Sequence, residues 1–470
     1  MNRPLVYVII INWNGREHLD ACFSSLLAGD YPNARFLLLD NASTDGSVAY
    51  VRERFGHDAR VCWLACEENH GWSGGNNLGI QAALEADAAY VFLLNNDIAI
   101  APDAISKLVE QAEATPDCAC LAPKMLLYNT PSVLNSVGLY CSRVGAAWDR
   151  GIGCADGPEW DAIVPVIGVC GGAMFIRADV FGRVGLLPED FVIYLDDLDL
   201  CLRMWSFGYR ILTCPKAEVR HKFSASMGQE KHARRKYFLN NRNRFRIILR
   251  NFPLRHWPQT LFWVALGEVR AVGRALLEGA YWKAGCHVQA WISALGQLSG
   301  ALRYQWKLQR QGARSLRFWK LIERRRMFCP RIVLPESGWY PPRPHTFRTA
   351  AGTMETATLH PMAPTATLEY APGQQLCLRL VNCLPAHGAC AVTVWLDGEQ
   401  RATWKTQSDA VFRTESLFES PPVEAVQLEL RACQCFPAER TGEDMDVGAW
   451  FDFNVSEAPN MTTQGNMQHP

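Results

Sequence analysis

Three acidic segments hold most of the chemistry this sequence can do. Asn95-Asn96-Asp97 closes the apolar run Val91-Phe92-Leu93-Leu94. A lone carboxylate at a strand end can bind Mg2+ or Mn2+, with waters and a ligand's oxygens filling the other positions. The same three residues also make an ordinary Asx-type turn. Residues 194–203 read Tyr-Leu-Asp-Asp-Leu-Asp-Leu-Cys-Leu-Arg, with carboxylates at Asp196, Asp197 and Asp199. Neighbouring negative charge and partial burial raise such a group toward a general base, while a helix dipole alone also favours acids at a helix start. Asp40–Ser47 (DNASTDGS) follows another apolar run. A carboxylate there can accept from the imide N–H of uracil or thymine, and Asp45 and Ser47 are equally suited to cap a helix. His221, beyond the Cys214-Pro215 break, offers an imidazole that either joins a metal or serves the fold.

These residues need elements to place them. Short β-rich runs alternate with helical patterns over the first ~220 residues, the signature of an α/β sheet. Strands are expected at 6–11, 35–39, 61–65 and 90–94, and helices at 16–27, 47–55 and 76–86. Gly71-Trp72-Ser73-Gly74-Gly75 reads as a loop. Leu195, Leu198 and Leu202 recur at helical spacing, so a helix begins near the acidic cluster. Polar residues then fall at the carboxyl ends of successive strands, where open α/β sheets bind ligands.

The formal net charge is zero, with 47 Lys/Arg and 47 Asp/Glu. That balance hides an asymmetry: 27 of the basic residues but only 5 of the acidic ones lie between Arg203 and Arg331. The excess implies an anionic partner or a solvated basic face. Tryptophans at 257, 263, 282, 291, 306 and 319 interleave with it, which suits either a membrane interface or an internal helical layer. The run Leu5–Ile11 is too short to span a bilayer and shows no cleavage-type site, so it is expected to be a buried first strand and not a signal peptide. Ala284–Leu302 lacks charges but carries His287, Gln289 and Gln297, against a membrane span. The 17 cysteines include close pairs at 62/66, 118/120 and 433/435 without zinc-knuckle spacing, and are expected to be reduced thiols in a cytosolic setting.

Taken in order, the motifs resemble family 2 glycosyltransferases of the GT-A fold, and within them the rhamnosyltransferase-like branch acting on bacterial surface polysaccharides. The resemblance covers roughly residues 4–250. It rests on Asn12-Trp13-Asn14-Gly15, on DNASTDGS at 40–47, on GWSGGNNLG at 71–79 and on GGAMFIR at 171–177. It rests also on Gly185–Leu187, on the acidic stretch 194–203, on Pro215–His221 and on Arg242-Asn243. It implies a mixed, mainly parallel sheet flanked by helices, and single displacement with inversion at the anomeric carbon. Carried over residue by residue, it puts Asn12, Asp40, Asn41, Asp45, Gly75, Asn76, Asn77, Asn95 and Asn96 on the nucleotide sugar, with Asp40 at the pyrimidine. Asp97 becomes the ligand of a divalent metal (Mn2+ or Mg2+), assisted by His221. Asp197 becomes the general base, with Asp196 as the other candidate because it replaces the usual Glu. Asn95 replaces the usual Asp, so a two-carboxylate clamp is unavailable.

The implied partners are a dTDP- or UDP-sugar and a glycan or polyprenyl-linked acceptor, with peripheral membrane contact at the inner face of the cell membrane and no nucleic acid. The expected organisation is a catalytic domain over 1–250, a basic, Trp-rich helical segment over 251–334, an antiparallel β-sandwich over 335–456 and a disordered tail over 457–470. A nucleotidyltransferase would show a glycine- and lysine-rich loop after the first strand, which this chain lacks. A non-catalytic glycan- or membrane-binding scaffold is the remaining alternative, and it predicts loss of the acidic positions that are present.

Overall fold

Strand β1 (Val6–Asn12) is apolar or aromatic at every position but its last, a composition suited to the middle of a sheet covered on both faces. The computed structural model describes residues 3–324 apart from 129, 155, 223–232, 278 and 314–316, and beyond them only strand segments between Leu334 and Asp452. β1 pairs in parallel with β2 (Ala34–Asp40) and β4 (Tyr90–Asn95), and β2 with β3 (Val61–Ala65). The sheet continues through β5 (Ile98–Ile100), β6 (Cys118–Leu127), β7 (Leu134–Ser136), β10 (Ala173–Arg177) and β11 (Arg210–His221). β8 (Leu139–Cys141) and β9 (Ala147–Asp149) form a separate hairpin. The strand order is β3-β2-β1-β4-β10-β6-β11-β5, with β7 on β6. β10 runs antiparallel to both neighbours and β11 parallel to β6, so the sheet is mixed.

Side chains alternate between two cores, as the period of a strand requires. Val8, Leu38 and Phe92 face one core with α1 (Arg16–Leu27), α2 (Ser47–Phe55) and α4 (Ala104–Ala114). Ile9, Leu37 and Leu93 face the other with α3 (Gly71–Glu85), the short α5 (Phe181–Val184) and α6 (Asp196–Ser206). Three long helices complete that second face: α7 (Ala233–Asn251), α8 (Trp257–Leu277) and α9 (Tyr281–Arg310). Phe245, Val264 and Ala290 join its core, and Trp257, Trp263, Trp291 and Trp319 pack against it. The basic, Trp-rich stretch therefore does form an internal layer. A buried chain of polar groups ties its helices together: Arg244 to Glu268, Glu268 to His287 Nδ1 at 2.7 Å, and His287 Nε2 to the Tyr237 hydroxyl at 2.8 Å.

One element differs from its expectation. Residues 71–75 are the first turn of α3 rather than a loop. Their glycines serve packing: a Cβ on Gly79 would sit 2.6 Å from Ile9 Cγ2, and one on Gly75 2.9 Å from Ile11 Cδ1. The helix thus lies against β1 closer than any side chain allows. Only Gly71 itself needs glycine's conformational freedom, at φ +72.

The described cysteines are free thiols, and Cys433 and Cys435 lie outside the described residues. Among the described residues no helix is long and apolar enough to cross a membrane. Residues 331–470 belong to a second compact unit. Its described strands pair antiparallel around the long strand Met354–Tyr370, which takes Val426–Ala432 along one stretch and Ala449–Asp452 along another. The rest of the expected sandwich, and the tail over 457–470, lie outside the described residues.

Within α6, Asp199 and Arg203 are both buried and pair at 2.9 Å. Arg203 also holds the carbonyls of Val184 and Leu186, and Asp199 accepts from Asn251 at 2.8 Å. Breaking one half of such a pair strands a buried charge. Arg203→Met should therefore cost about 3–5 kcal/mol in urea unfolding, and adding Asp199→Leu should restore part of the loss.

Candidate active site

The carboxyl ends of three parallel strands meet at one edge. In register, Asn12 stands opposite Asp40, and Ile11 opposite Asn95. The buried Asn12 carboxamide joins all three: its Nδ2 donates to Asp40 Oδ1 at 2.9 Å and Ser43 Oγ at 3.1 Å, and its Oδ1 accepts from Asn96 Nδ2 at 2.6 Å. Asp40 Oδ2 accepts the Ser43 N–H at 3.0 Å. Both oxygens of Asp40 thus already shape the turn, and any further donor must use their remaining lone pairs.

Several candidates are committed to the scaffold. Asn41 uses its amide on Asn69, Gly71 and His70, fixing the approach to α3. Asn77, 3% exposed, brackets Leu187 through its carbonyl and N–H and reaches Glu189 at 3.0 Å. Asp45 accepts from the Ser47 N–H and hydroxyl and from the Arg16 N–H, joining the starts of α1 and α2. Burial pushes its carboxyl up, but these hydrogen bonds bring it below the ordinary value. Asn76 is fully buried and bonds back to the Trp72 carbonyl, and Gly75 lies against Ile11, Asn41 and Leu39. Gly75, Asn76 and Asn77 are thus buried in α3 against the sheet, while Asp45 stays part-exposed beside Asn14, Arg16 and Tyr50.

Asp97 is 7% exposed, and its Oδ1 is buried without a hydrogen-bond partner. β11 returns antiparallel to β5 with His221 opposite Ile98, which brings His221 Nε2 to 3.3 Å from that oxygen. His221 Nδ1 lies 2.5 Å from the Asn135 amide oxygen, a contact that holds the ring with Nε2 toward Asp97. An orphaned carboxylate oxygen beside an imidazole nitrogen fits an open divalent-ion site, with ligand oxygens and waters completing the shell. Among the described residues no three His, Cys, Asp or Glu side chains gather to enclose a metal. Asn95, in the usual second-carboxylate position, instead accepts from Trp72 Nε1 at 3.2 Å.

The acidic pair divides by environment. Asp196 is buried and accepts from Ser73 Oγ at 2.5 Å. Asp197 keeps part of its surface open, and its Oδ2 accepts the Gly171 N–H at 2.8 Å. Burial pushes both carboxyls well above the ordinary carboxylate range, and the charge of Asp196 adds to the rise at Asp197. The turn before them is strained, with Val192, Tyr194 and Leu195 at φ +70, +72 and +64. Arg242-Asn243 explains its survival: Asn243 donates to the carbonyls of Phe191, Ile193 and Tyr194, and Arg242 to those of Asp190 and Phe191.

Sequence reasoning missed three contributors. Trp72 lies between Gly171 and Asn95, and a Cβ on Gly171 would meet its indole at 2.8 Å. Ser73 holds Asp196. Asp149, at the end of β9, feels the charge of His221 and adds to the rise at Asp197, and burial raises its own carboxyl. A lone Asp after Ala147-Trp148 carries no local signal, because its neighbours in the site come from other elements.

Gly15 leaves room for Asn96, since a Cβ there would fall 2.1 Å from Asn96 Nδ2. Gly15→Ala should displace Asn96 from Asn12. It is expected to lower stability by about 1–3 kcal/mol in thermal unfolding.

Comparison with known proteins matches residues 7–130 to the family model Glycosyl transferase family 2 and residues 90–306 to Glycosyl transferase family group 2. A low-salt glycan biosynthesis hexosyltransferase of Haloferax volcanii is 26% identical over 249 residues, 51% of this chain and 73% of its own. An N-acetylglucosaminyl-diphospho-decaprenol L-rhamnosyltransferase of Mycobacterium tuberculosis is 24% identical over 244 residues, 47% of this chain and 78% of its own. Among solved structures, a Pyrobaculum calidifontis mannosyltransferase in complex with GDP-Man and Mn2+ aligns with TM-score 0.41 at 16% identity, over 67% of this chain and 86% of that one.

Proposed function

Because the chain belongs to glycosyltransferase family 2, we propose that it moves rhamnose or a similar hexose from a dTDP- or UDP-sugar to a lipid-linked or growing glycan, with inversion. The observation that carries the assignment of roles is the part-open, raised Asp197 carboxyl, aligned by the Gly171 N–H beside the orphaned Asp97 oxygen's strand edge. In this reading Asp197 takes the proton of the acceptor hydroxyl as its oxygen bonds to the anomeric carbon. The bond from that carbon to the diphosphate breaks on the opposite face, and its electrons leave with the nucleoside diphosphate. Asp97 and His221 would hold a divalent ion, which when bound neutralises the leaving diphosphate. Asn12 and Asp40 would shape the nucleoside end, while Asp196 raises its neighbour.

The mycobacterial relative is named for a decaprenol-linked acceptor and for rhamnose, which supports a lipid-linked acceptor and that sugar class here. On this reading residues 1–250 form the GT-A catalytic domain, 251–334 the helical segment and 335–456 an accessory β domain, with the enzyme working at the inner membrane face.

The test is transfer from a panel of nucleotide sugars to lipid-linked acceptors with Mn2+, read by mass spectrometry of the product. Asp97→Asn and Asp197→Asn should each lower turnover roughly 100-fold or more, and chelation should do the same. Transfer that survives both substitutions removes the assignment of these roles.

The pH profile offers a separate check. A base must be deprotonated, so activity should rise with pH through the raised Asp197 value and be lost below it. Asp196→Asn keeps an acceptor for Ser73 but removes the neighbouring charge. It should therefore move the acid limb of kcat/KM to lower pH. An unmoved limb would assign the titration to another group.

A further inference from the structure

Helices α8 and α9 bury one face and leave an apolar stripe on the other. Along α8, Phe262, Val269 and Leu276 follow at seven-residue intervals with exposures of 62%, 72% and 50%. Along α9, Val288, Ile292, Leu295 and Leu302 recur at intervals of four, three and seven, the middle two about two-thirds exposed. Thr260, Val264 and Glu268, on the other side of α8, are buried. The tryptophans that mark this region in the sequence mostly pack inward, with Trp306 on the open side at 55%. A folded protein rarely leaves such stripes in water without a partner.

Charge identifies the partner. The single acidic residue of α8 and α9 is Glu268, and it is buried between Arg244 and His287. The exposed charges on the two helices are cations: Arg270 and Arg274 on α8, Arg303, Lys307 and Arg310 on α9. Apolar side chains at helical spacing, flanked among the described residues of the two helices by exposed cations, suit the interface of an anionic bilayer, where the former enter the acyl boundary and the latter meet lipid phosphates.

We propose that the α8–α9 face docks the enzyme onto an anionic lipid surface, lying in the interface plane without crossing it. The inference rests on the proposed lipid-linked acceptor for its purpose, although the face itself is independent of the reaction.

Flotation of the full chain with acceptor-free vesicles tests it, comparing phosphatidylcholine alone with mixtures containing about a third phosphatidylglycerol. The protein should float with the anionic vesicles only. Salt at about 0.5 M, or Arg270→Gln with Arg274→Gln, should weaken partition roughly tenfold. Val269→Glu with Ile292→Glu should abolish it, with the unfolding midpoint and turnover on a water-soluble acceptor unchanged. Flotation that ignores lipid charge and all four substitutions overturns the inference. So does a dimer, seen by light scattering, that Val269→Glu with Ile292→Glu turns into monomers, since the stripe then belongs to a second copy. Flotation as expected without transfer to any acceptor overturns the proposed function and leaves the docking face standing.

Discussion

The buried carboxamide of Asn243 is the contact on which the rest of this site depends. It donates to the carbonyls of Phe191, Ile193 and Tyr194, in a turn where three residues other than glycine sit at positive φ. Such a backbone costs of order 1–3 kcal/mol per residue and persists only where its surroundings over-determine it. What the strain achieves is visible in the neighbours. The Val192 carbonyl accepts the Trp72 N–H at 2.8 Å and so caps α3. From that first turn Ser73 reaches Asp196, and Trp72 reaches Asn95 at the end of β4. The acids, the helix start and the strand end are therefore one bonded assembly.

A second assembly works at the ends of β1, β2 and β4. Asn12 couples the turn after β2 to the turn after β4, and Asp97 stands beside the residue it holds. Polar residues at these strand ends are mostly engaged with backbone and with one another. Asp97 Oδ1 is not: it is buried without a hydrogen-bond partner, 3.3 Å from His221 Nε2.

Periodicity made the sheet legible: β3, α1 and α2 fall where alternation and 3.6-residue spacing place them, because both signals are local. The acids of residues 194–203 and the Asn-Asn-Asp after β4 were legible for the same reason. Less legible was the purpose of each polar or small residue. Gly74 and Gly75 look like loop glycines, yet they lie in a helix packed hard on its strand. Asn41 and Asn77 look like ligand contacts, and in the structure they tie backbone segments 29 to 110 residues away in the chain. Composition cannot separate a carboxamide that binds from one that braces, since both need the same atoms. Asp149 and Asn135 were invisible because their partners are assembled by strand order alone. Which of Asp196 and Asp197 lies open was undecidable from spacing, and burial separates them.

The Asn243 contact also bears on how this architecture can be divided. Asn243 belongs to α7, the first helix of the basic layer, while the turn it holds belongs to the sheet half. Asn251 bonds to Asp199, and Gln305 of α9 holds the carbonyls of Leu249 and Phe252. The helical layer is thus a brace for the acidic turn rather than an appendage. Genetic exchange or truncation that treated the sheet as a portable cassette would keep every acidic residue and lose the groups that orient them.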